Sequence, residues 1–257
     1  KVVQELVVQK IDKDKTKGMF VSVGYWGTIL TSPDGTSWTQ RTSGTTTSLY
    51  GVTFGNGLFV SVGGDGTILT SPDGTFWTQR TSGTSKYLQV VTFGNGLFVT
   101  VGTGGTILTS SNGTSWNKRT SGISNSLFGV TFGNDTFVAV ANSGKIIRST
   151  DNGSSWDNAT SPTGNNLSGI AFGNDTFVAV GNTGSIVTST DNGTTWDNAT
   201  SGTTIDRGSI SFGNNTFITG GGSVSILTSS DNGSTWTTRD SGISSGSIEI
   251  LGISYKE

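Results

Sequence analysis

The residue types that most often carry out enzymatic chemistry are scarce in this sequence. It contains no histidine and no cysteine, which removes the usual general base, the commonest metal ligand and the thiol nucleophile. Its glutamates are Glu5, Glu249 and Glu257. Hydrolysis by paired carboxylates needs two acidic groups facing each other at a set distance, and Asp206 with Glu249 is the only plausible pair. We therefore predict no catalytic site, no metal site and no cofactor.

Other side chains are better suited to binding than to catalysis. Tyr25 and Trp26 are adjacent aromatic residues in a predicted loop, and Trp26 is the one tryptophan outside the regular spacing of the other six. An exposed aromatic side chain in a loop often anchors a partner or stacks on a sugar ring. The alternative is that Trp26 fills a junction near the chain ends. The other candidates for contact with a ligand or partner are Asp65, Tyr87, Asp206 and Arg207.

These candidates are set within an internal repeat of 39 or 40 residues. Six tryptophans recur at this interval, namely Trp38, Trp77, Trp116, Trp156, Trp196 and Trp236. A phenylalanine column runs in step: Phe20, Phe59, Phe98, Phe137, Phe177 and Phe217. An isoleucine column has the same period: Ile29, Ile68, Ile107, Ile146, Ile186 and Ile226. Three independent columns with one period predict six copies of one structural unit.

Each unit is predicted to contain four short β-strands. In the second unit they cover residues 49–54, 58–62, 67–71 and 77–80. Asn, Asp and Gly between them tolerate the positive φ that tight hairpins need. The middle strands are apolar on both faces, as in sheets packed between other sheets. Four-stranded antiparallel units of about 40 residues, repeated radially, form a β-propeller. The predicted fold is therefore an all-β, six-bladed β-propeller.

The two ends of the sequence bear on how the predicted ring closes. Unit one lacks a first strand directly before Phe20, whereas residues 251–255 parallel residues 50–54. We expect this C-terminal strand to complete the first blade and close the ring, which leaves no open sheet edge. The predicted organisation is an N-terminal extension at residues 1–17 and a propeller at residues 18–257. The extension either caps an outer edge of its own ring or pairs with another chain by strand addition.

The turn before each repeat tryptophan carries a recognisable motif. The pattern Ser-x-Asp-x-Gly-x-x-Trp occurs at Ser149, Asp151, Gly153 and Trp156 and recurs in units five and six. It resembles the Asp-box of the bacterial neuraminidase repeat, and the resemblance spans all six units. Units one to three are one residue shorter in this turn, and Asn112 replaces the aspartate in unit three. The resemblance implies a propeller whose Asp-boxes are structural turns, with Asp accepting backbone N–H bonds and Gly at positive φ.

The same resemblance suggests a sialidase, but the arginines argue against one. The resemblance implies that such an enzyme holds three arginines around a substrate carboxylate. Here four arginines lie three residues after a repeat tryptophan, on the predicted outermost strand: Arg41, Arg80, Arg119 and Arg239. Arg207 alone is predicted near the mouth of the central tunnel of the propeller. One arginine cannot surround a substrate carboxylate as three do. A sialidase-like glycoside hydrolase therefore ranks third among the functions considered.

The loops of the two propeller faces differ in how well they repeat. The Asp-box turns and the first hairpin turns share one face and are nearly identical, whereas the loops of the opposite face diverge and contain all six candidate binding residues. Divergence within a near-perfect repeat favours that second face for binding. Arg207 also replaces a column of leucines, which predicts a polar tunnel mouth with Asp206 and Glu249. A local ion pair is the alternative.

Charge and sequons bear on partners and location. A net charge of -2 and a pI near 5.1 argue against a nucleic-acid partner, and no apolar stretch is long enough to predict a membrane span. The candidate glycosylation sites are the asparagines of ten Asn-x-Ser/Thr sequons: Asn112, Asn134, Asn152, Asn158, Asn166, Asn174, Asn192, Asn198, Asn214 and Asn232. If they carry sugars, the protein is extracellular or on the cell surface.

Together these features predict an extracellular or cell-surface binding and assembly module without catalytic activity. It would act through protein–protein contacts, with a protein partner or with itself through the N-terminal strand. The alternative is a glycan-binding, lectin-like propeller. Such propellers usually repeat their aromatic site in each blade, whereas the Tyr25–Trp26 pair occurs once.

Overall fold

The described part of the chain, residues 7–10 and 19–243 of a computed structural model, consists of short β-strands joined by tight turns. It contains six four-stranded antiparallel sheets, numbered 1 to 6 in chain order. The chain divides into two compact units, residues 1–120 with sheets 1–3 and residues 121–257 with sheets 4–6. The predicted all-β architecture of six four-stranded antiparallel units is thereby confirmed.

The first unit holds twelve of the described strands. Sheet 1 consists of β1 (Val7–Lys10), β2 (Phe20–Val23), β3 (Ile29–Ser32) and β4 (Thr39–Arg41). Sheet 2 consists of β5 (Leu49–Gly55), β6 (Leu58–Gly63), β7 (Ile68–Ser71) and β8 (Thr78–Arg80). Sheet 3 consists of β9 (Leu88–Gly94), β10 (Leu97–Gly102), β11 (Thr106–Ser110) and β12 (Asn117–Arg119).

The second unit repeats this pattern. Sheet 4 consists of β13 (Leu127–Gly133), β14 (Thr136–Ala141), β15 (Ile146–Ser149) and β16 (Asp157–Ala159). Sheet 5 consists of β17 (Leu167–Gly173), β18 (Thr176–Gly181), β19 (Ile186–Ser189) and β20 (Asp197–Ala199). Sheet 6 consists of β21 (Arg207–Gly213), β22 (Thr216–Gly221), β23 (Ile226–Ser229) and β24 (Thr237–Arg239).

Short 3₁₀ turns join the second and third strands of each sheet. They cover Tyr25–Gly27, Gly64–Gly66, Thr103–Gly105, Asn142–Gly144, Asn182–Gly184 and Gly222–Val224. In sheet 2 the four observed strands agree with the predicted ones to within one residue at each end. The agreement arises because strand alternation and Asn-Gly turns are local signals that neighbouring residues determine.

Neighbouring sheets of each unit pack face to face through apolar side chains. Between sheets 1 and 2 the buried cluster includes Val21, Ile29, Leu49, Phe59 and Leu69. The first strands of adjacent sheets, such as β5 and β9, lie in close contact, so they form the inner edge and the fourth strands form the outer edge. Five residues of the phenylalanine column are fully buried: Phe59, Phe98, Phe137, Phe177 and Phe217. The column is therefore a core element of the repeat.

A glycine at the end of the first strand lets the sheets approach closely. A Cβ placed on Gly133 of β13 would lie 2.1 Å from the ring of Phe172 in the next sheet. Gly55 and Phe93 of the first unit have the same relation, also at 2.1 Å. Only a residue without a Cβ leaves room for the neighbouring aromatic ring at this position.

The N-terminal strand takes a different place from either predicted one. β1 pairs antiparallel with β2, with Val7 opposite Val23 and Lys10 opposite Phe20. It holds the first-strand position of sheet 1, so the expectation that it caps an outer edge is wrong. Without β1 the β2 strand would expose an unpaired edge, and a strand close in sequence can pair there at a low loop-closure cost. Residues 251–255, predicted to fill this position, lie outside the described residues.

The segment before each repeat tryptophan folds into a compact turn, which we call the Ser-Asp turn (residues 32–38, 71–77, 110–116, 149–156, 189–196 and 229–236). In sheet 4, Ser149 Oγ donates to Asp151 Oδ1 at 2.8 Å and accepts the Gly153 N–H at 2.8 Å. Asp151 Oδ1 also accepts the backbone N–H groups of Ser154 and Ser155, at 3.1 and 2.9 Å. One serine and one carboxylate thus satisfy three backbone donors of the turn.

Sheet 3 shows that this turn does not need a charged side chain. Asn112 Oδ1 accepts the backbone N–H groups of Thr114 and Ser115, both at 2.9 Å. The indole N–H of Trp116 then donates to the Gly113 carbonyl at 3.0 Å. The turn therefore orients the repeat tryptophan against the sheet, with either aspartate or asparagine at its centre.

The carboxylates of these turns should make stability depend on pH. Hydrogen bonds from Ser155 lower the pKa of Asp151 to about 2, and the pKa values of Asp73, Asp191 and Asp231 are also about 2. The unfolded value is about 3.9, so their stabilising contribution is complete above about pH 4 and is lost as the pH falls through about 2. We expect the melting temperature, followed by circular dichroism, to fall between these limits.

A variant with asparagine at all four of these aspartates tests the cause of that fall. It should melt with a clearly smaller decrease between pH 4 and pH 2, because asparagine accepts the same backbone bonds without titrating. Asp151→Ala is the matched control, since it removes the bonds and should cost about 1 kcal/mol above pH 4 and less at pH 2. An equal decrease in the asparagine variant and the wild type would show that other groups control the acid transition.

Candidate functional site

The 3₁₀ turns and the connections to the next sheet lie at the same end of each sheet. In sheet 1, a Cβ on Gly27 would lie 2.0 Å from the carbonyl oxygen of Thr45, so the turn rests directly on the connection after β4. Gly66 and Thr84 have the same relation in sheet 2, at 1.9 Å. The structure therefore agrees with the predicted division of the connections between two faces. We call this end of the first unit the loop face (residues 24–28, 43–48, 63–67, 82–87 and 102–106).

The connections of the loop face are held by local hydrogen bonds. Ser43 Oγ donates to the Thr45 carbonyl at 3.0 Å, and Thr45 Oγ1 accepts the Thr47 N–H at 3.0 Å. The connection after sheet 2 repeats both bonds, at 3.1 Å each. Hydroxyl-stabilised turns of this kind give a loop of small residues a defined shape. The loop face thus consists of hydrogen-bonded turns of small residues that carry a few larger side chains.

Trp26 lies at the apex of the first 3₁₀ turn, in a backbone conformation that large side chains rarely adopt. Its φ and ψ are 54° and 35°, and its side chain is 68% exposed. Its backbone N–H donates to Ser48 Oγ at 3.4 Å. The other turns carry small residues at this apex: Asp65, Gly104, Ser143, Thr183 and Ser223. A left-handed conformation costs an L-residue about 1–2 kcal/mol, which an exposed indole does not recover through burial.

Tyr25 and Tyr87 share the loop face with Trp26, and Tyr50 of β5 reaches it with its side chain. The rings of Tyr25 and Trp26 are 6.3 Å apart, and so are those of Tyr50 and Tyr87. The Tyr50 hydroxyl reaches the second turn, where a Cβ on Gly64 would lie 3.7 Å away. Tyr87 is 47% exposed. We call these four residues the aromatic group, and they include three of the four tyrosines of the chain.

Sequence reasoning found three members of the aromatic group but missed Tyr50. It lies inside a predicted strand, where an aromatic residue is unremarkable. The signal that could have found it is divergence within its column, which continues as Gln89, Phe128, Ser168 and Gly208.

Charges of both signs flank the aromatic group. Asp65 is exposed at the apex of the second turn, with a φ of 52°. Lys86 is exposed in the connection after sheet 2, where a Cβ on Gly104 would lie 3.8 Å from its Cε. The structure thus brings Asp65 to the same face as Trp26 and Tyr87, as the sequence predicted. An aromatic surface with a charged rim has the composition of a protein-binding patch.

An open groove lies beside Trp26 at the edge of sheet 1. Its volume is about 880 Å³, and it is lined by Trp26, Gly27 and residues 40–46. Its lining contains one cation, Arg41, and no carboxylate. Arg41 lies on the outermost strand, as predicted, and its Nε donates to Thr31 Oγ1 at 2.8 Å. This bond restrains the side chain of Arg41, which is one of the residues lining the groove.

Asp206 and Arg207 belong to the second unit and are engaged in contacts of their own. The guanidinium of Arg207 is 1% exposed and donates to the carbonyls of Ile205 and Ser225, both at 3.1 Å, and to Ser225 Oγ at 3.0 Å. Burial lowers its pKa, while the charge of Asp206 acts in the opposite direction. Asp206 Oδ1 accepts the Thr183 N–H at 2.7 Å.

These contacts correct the predicted polar tunnel mouth for Arg207. Its side chain folds onto carbonyl groups of the turns next to its own sheet, so it is a buried residue rather than a surface contact. Glu249, the third predicted member, lies outside the described residues. Within the described ranges, no group of three or more acidic side chains is placed to hold a metal ion.

The face opposite the loop face carries one exposed aromatic residue that sequence reasoning also missed. Phe76 lies in the Ser-Asp turn of sheet 2 and is 80% exposed. The equivalent positions in the other sheets hold hydroxyl residues: Ser37, Ser115, Ser155, Thr195 and Thr235. Within the described residues Phe76 makes no ring contact, in contrast to the paired rings of the aromatic group.

The sequon asparagines fall into several kinds of position. Three lie in first hairpin turns at positive φ: Asn134, Asn174 and Asn214. Three lie in Ser-Asp turns, also at positive φ: Asn152, Asn192 and Asn232. Two are exposed on the outer strands β16 and β20: Asn158 and Asn198. Two accept backbone N–H bonds through their side chains: Asn112 and Asn166.

Several solved structures share this fold. YCF48 bound to D1 peptide matches with a TM-score of 0.70 and 19% identity, over 91% of this chain and 83% of that one. YCF48 from Cyanidioschyzon merolae matches with a TM-score of 0.71 and 18% identity, over 93% and 86%. The computationally designed Ika8 protein matches with a TM-score of 0.74 and 14% identity, over 98% and 78%. At these identities the likeness concerns the fold alone.

Sequence comparison places the chain in a family. A search of curated proteins finds no match. Among the residues that the structure describes, no helix is long and apolar enough to cross a membrane.

The model of the DUF6242 beta propeller domain matches residues 54–165 and 127–247, which together span most of the repeats. The chain therefore belongs to the DUF6242 beta propeller domain family.

Proposed function

We propose that this chain is a non-catalytic module that binds a protein partner through the loop face of its first unit. The observation that carries the proposal is the aromatic group. Its four members stand on one face of a unit built from repeats. At the apex that Trp26 occupies, the other repeats carry small residues, and Trp26 is kept there at a conformational cost without burial in return.

The composition of the loop face supports protein binding on physical grounds. Tyrosine and tryptophan offer large, amphipathic contact areas and lose little side-chain entropy when a partner binds. Serine, threonine and glycine around them supply hydroxyl and backbone hydrogen bonds. The connections already hold their shape through local bonds, such as the one from Ser43 to Thr45, so little order has to be created on binding.

The structural neighbours add support of a second kind. YCF48, whose fold is similar, has been solved bound to D1 peptide. A propeller of this architecture can therefore hold a peptide. By extension, the partner of the present chain is an exposed peptide segment of another protein.

The proposal extends to the scaffold and its location. The Ser-Asp turns are Asp-boxes, and the six sheets are the blades of a closed six-bladed propeller. The Ser-x-Asp-x-Gly-x-x-Trp motif and its hydrogen bonds support the first statement. The sequons support an extracellular or cell-surface location, which glycopeptide mass spectrometry of the natively produced protein would test.

Peptide display tests the binding function directly. A random library is selected on the full chain, and the enriched peptides are measured by fluorescence anisotropy against Tyr87→Ser and Phe76→Ser. Each variant replaces one exposed aromatic residue by serine, a residue that equivalent positions in other repeats tolerate. We expect affinity to fall about tenfold or more in Tyr87→Ser and to stay unchanged in Phe76→Ser.

Two outcomes would contradict the proposal. Loss of affinity in Phe76→Ser alone would move the binding site to the opposite face. Failure to enrich any peptide, together with binding of a glycan that depends on the aromatic group, would replace the protein-binding function by the lectin-like one.

A further inference from the structure

We infer that the groove beside Trp26 is a carboxylate-binding subsite, which takes an acidic side chain or the C-terminal carboxylate of the bound peptide. The inference rests on the proposed function and adds the chemistry of the residue that is recognised. It is carried by the lining of the groove, by the hydrogen-bond restraint of one guanidinium, and by a comparison with the equivalent positions of the other sheets.

The charge of the groove is not balanced by its own lining. Arg41 contributes a permanent positive charge, and the remaining lining residues are neutral. The volume of about 880 Å³ leaves room for an amino-acid side chain and its neighbours. An anion that enters this groove therefore meets a cation without displacing a carboxylate of the protein.

Arg41 is prepared for bidentate contact. Its Nε is already bound to Thr31 Oγ1, which restrains the side chain and leaves the two terminal nitrogens for a ligand. Arginine binds carboxylates through such a planar fork, and restraint reduces the entropy lost on binding. The exposed indole of Trp26 also lines the groove and suits an apolar group next to the carboxylate.

The equivalent positions of the neighbouring sheets lack this pairing. Arg80 and Arg119 make the same Nε bond to a threonine, both at 2.9 Å. At the apex where sheet 1 has Trp26, however, sheet 2 has Asp65 and sheet 3 has Gly104. The combination of cation and exposed indole therefore occurs in sheet 1 and not in sheets 2 and 3. Arg80 provides a matched control for Arg41.

Three short peptides serve as probes, observed by NMR on the full-length, ¹⁵N-labelled chain. The first is acetyl-Ala-Phe-Glu-Ala-amide, with an internal carboxylate only. The second is acetyl-Ala-Phe-Gln-Ala with a free C-terminus, and the third is its amide, which has no carboxylate. The readout is the indole N–H signal of Trp26, identified by its loss in Trp26→Gly.

Both carboxylate peptides, or one of them, should shift this signal with an affinity about fivefold or more above that of the neutral amide. The stronger of the two identifies the source of the carboxylate. In Arg41→Gln the carboxylate peptides should bind no more tightly than the neutral peptide. In Arg80→Gln the carboxylate peptides should keep their higher affinity, although both variants lose the same kind of hydrogen bond to threonine.

Other results would overturn the inference. Equal affinity of all three peptides, with dependence on Trp26, would remove the carboxylate and leave the proposed function standing. No shift by any of them, while display-selected peptides still need Tyr87, would place the peptide outside the groove. A shift caused by a neutral oligosaccharide such as maltotriose, and by none of the peptides, would overturn both the subsite and the protein-binding function.

Discussion

The Trp26→Gly variant is expected to bind display-selected peptides about 30-fold more weakly than the wild type, a loss of about 2 kcal/mol typical of an aromatic hot spot. Its melting temperature should nevertheless be equal to that of the wild type or higher. The backbone at this apex has a φ of 54°, which glycine adopts without strain, and Gly104 occupies the same position in sheet 3. Relief of that strain contributes up to about 1 kcal/mol.

Ser143→Gly is the matched control for this result. Ser143 lies at the same apex in the second unit, with a φ of 55°. The Ser143→Gly variant should show a similar, small gain in melting temperature and an unchanged peptide affinity. Fluorescence anisotropy and thermal melts measure both quantities. If Trp26→Gly melted well below the wild type and kept its affinity, Trp26 would be a structural plug, the alternative that the sequence left open.

Gly133→Ala should have the largest effect on stability of the substitutions considered. The added Cβ would lie 2.1 Å from the ring of Phe172, which packs against the core cluster between sheets 4 and 5. The methyl group cannot be accommodated without moving the ring or separating the two sheets. We expect a loss of about 3 kcal/mol in urea unfolding, at the upper end of the cost of overpacking a core.

Gly164→Ala shows whether that loss is specific. Gly164 belongs to a connection of the same unit, and a Cβ there would meet nothing within 4 Å. Its φ also lies outside the left-handed region, so alanine should change stability by less than about 0.5 kcal/mol. Equal losses in the two variants would mean that close packing of glycine against phenylalanine does not hold the sheets together.

The N-terminal strand shows that sequence patterns do not predict which segment pairs with β2. Residues 7–10 and residues 251–255 are both short segments that contain apolar residues and could pair with β2, and periodicity does not rank them. The structure pairs Val7–Lys10 with β2. The choice depends on which sheet edge is unpaired and on the length of the loop that must be closed. The sequence of the strand itself gives neither.

Arg207 illustrates a second limit. Its replacement of a leucine column was visible in the sequence and suggested a polar surface. In the fold, its guanidinium reaches Ser225, which lies between the last 3₁₀ turn and β23, and Arg207 is 1% exposed. Burial of a cation depends on acceptors that are distant in sequence, so composition alone could not predict it.

The number of repeats, the strands of sheets 2 to 6 and the division of their connections between two faces could be read from the amino-acid sequence. Those features follow from side-chain alternation and turn residues, which act over a few neighbouring positions. The contact of Tyr50 with Tyr87, the exposure of Trp26 in a left-handed turn and the place of Arg41 in the groove beside it became visible in the folded chain. These relations join residues 15 to 37 positions apart, and packing of whole sheets brings them together.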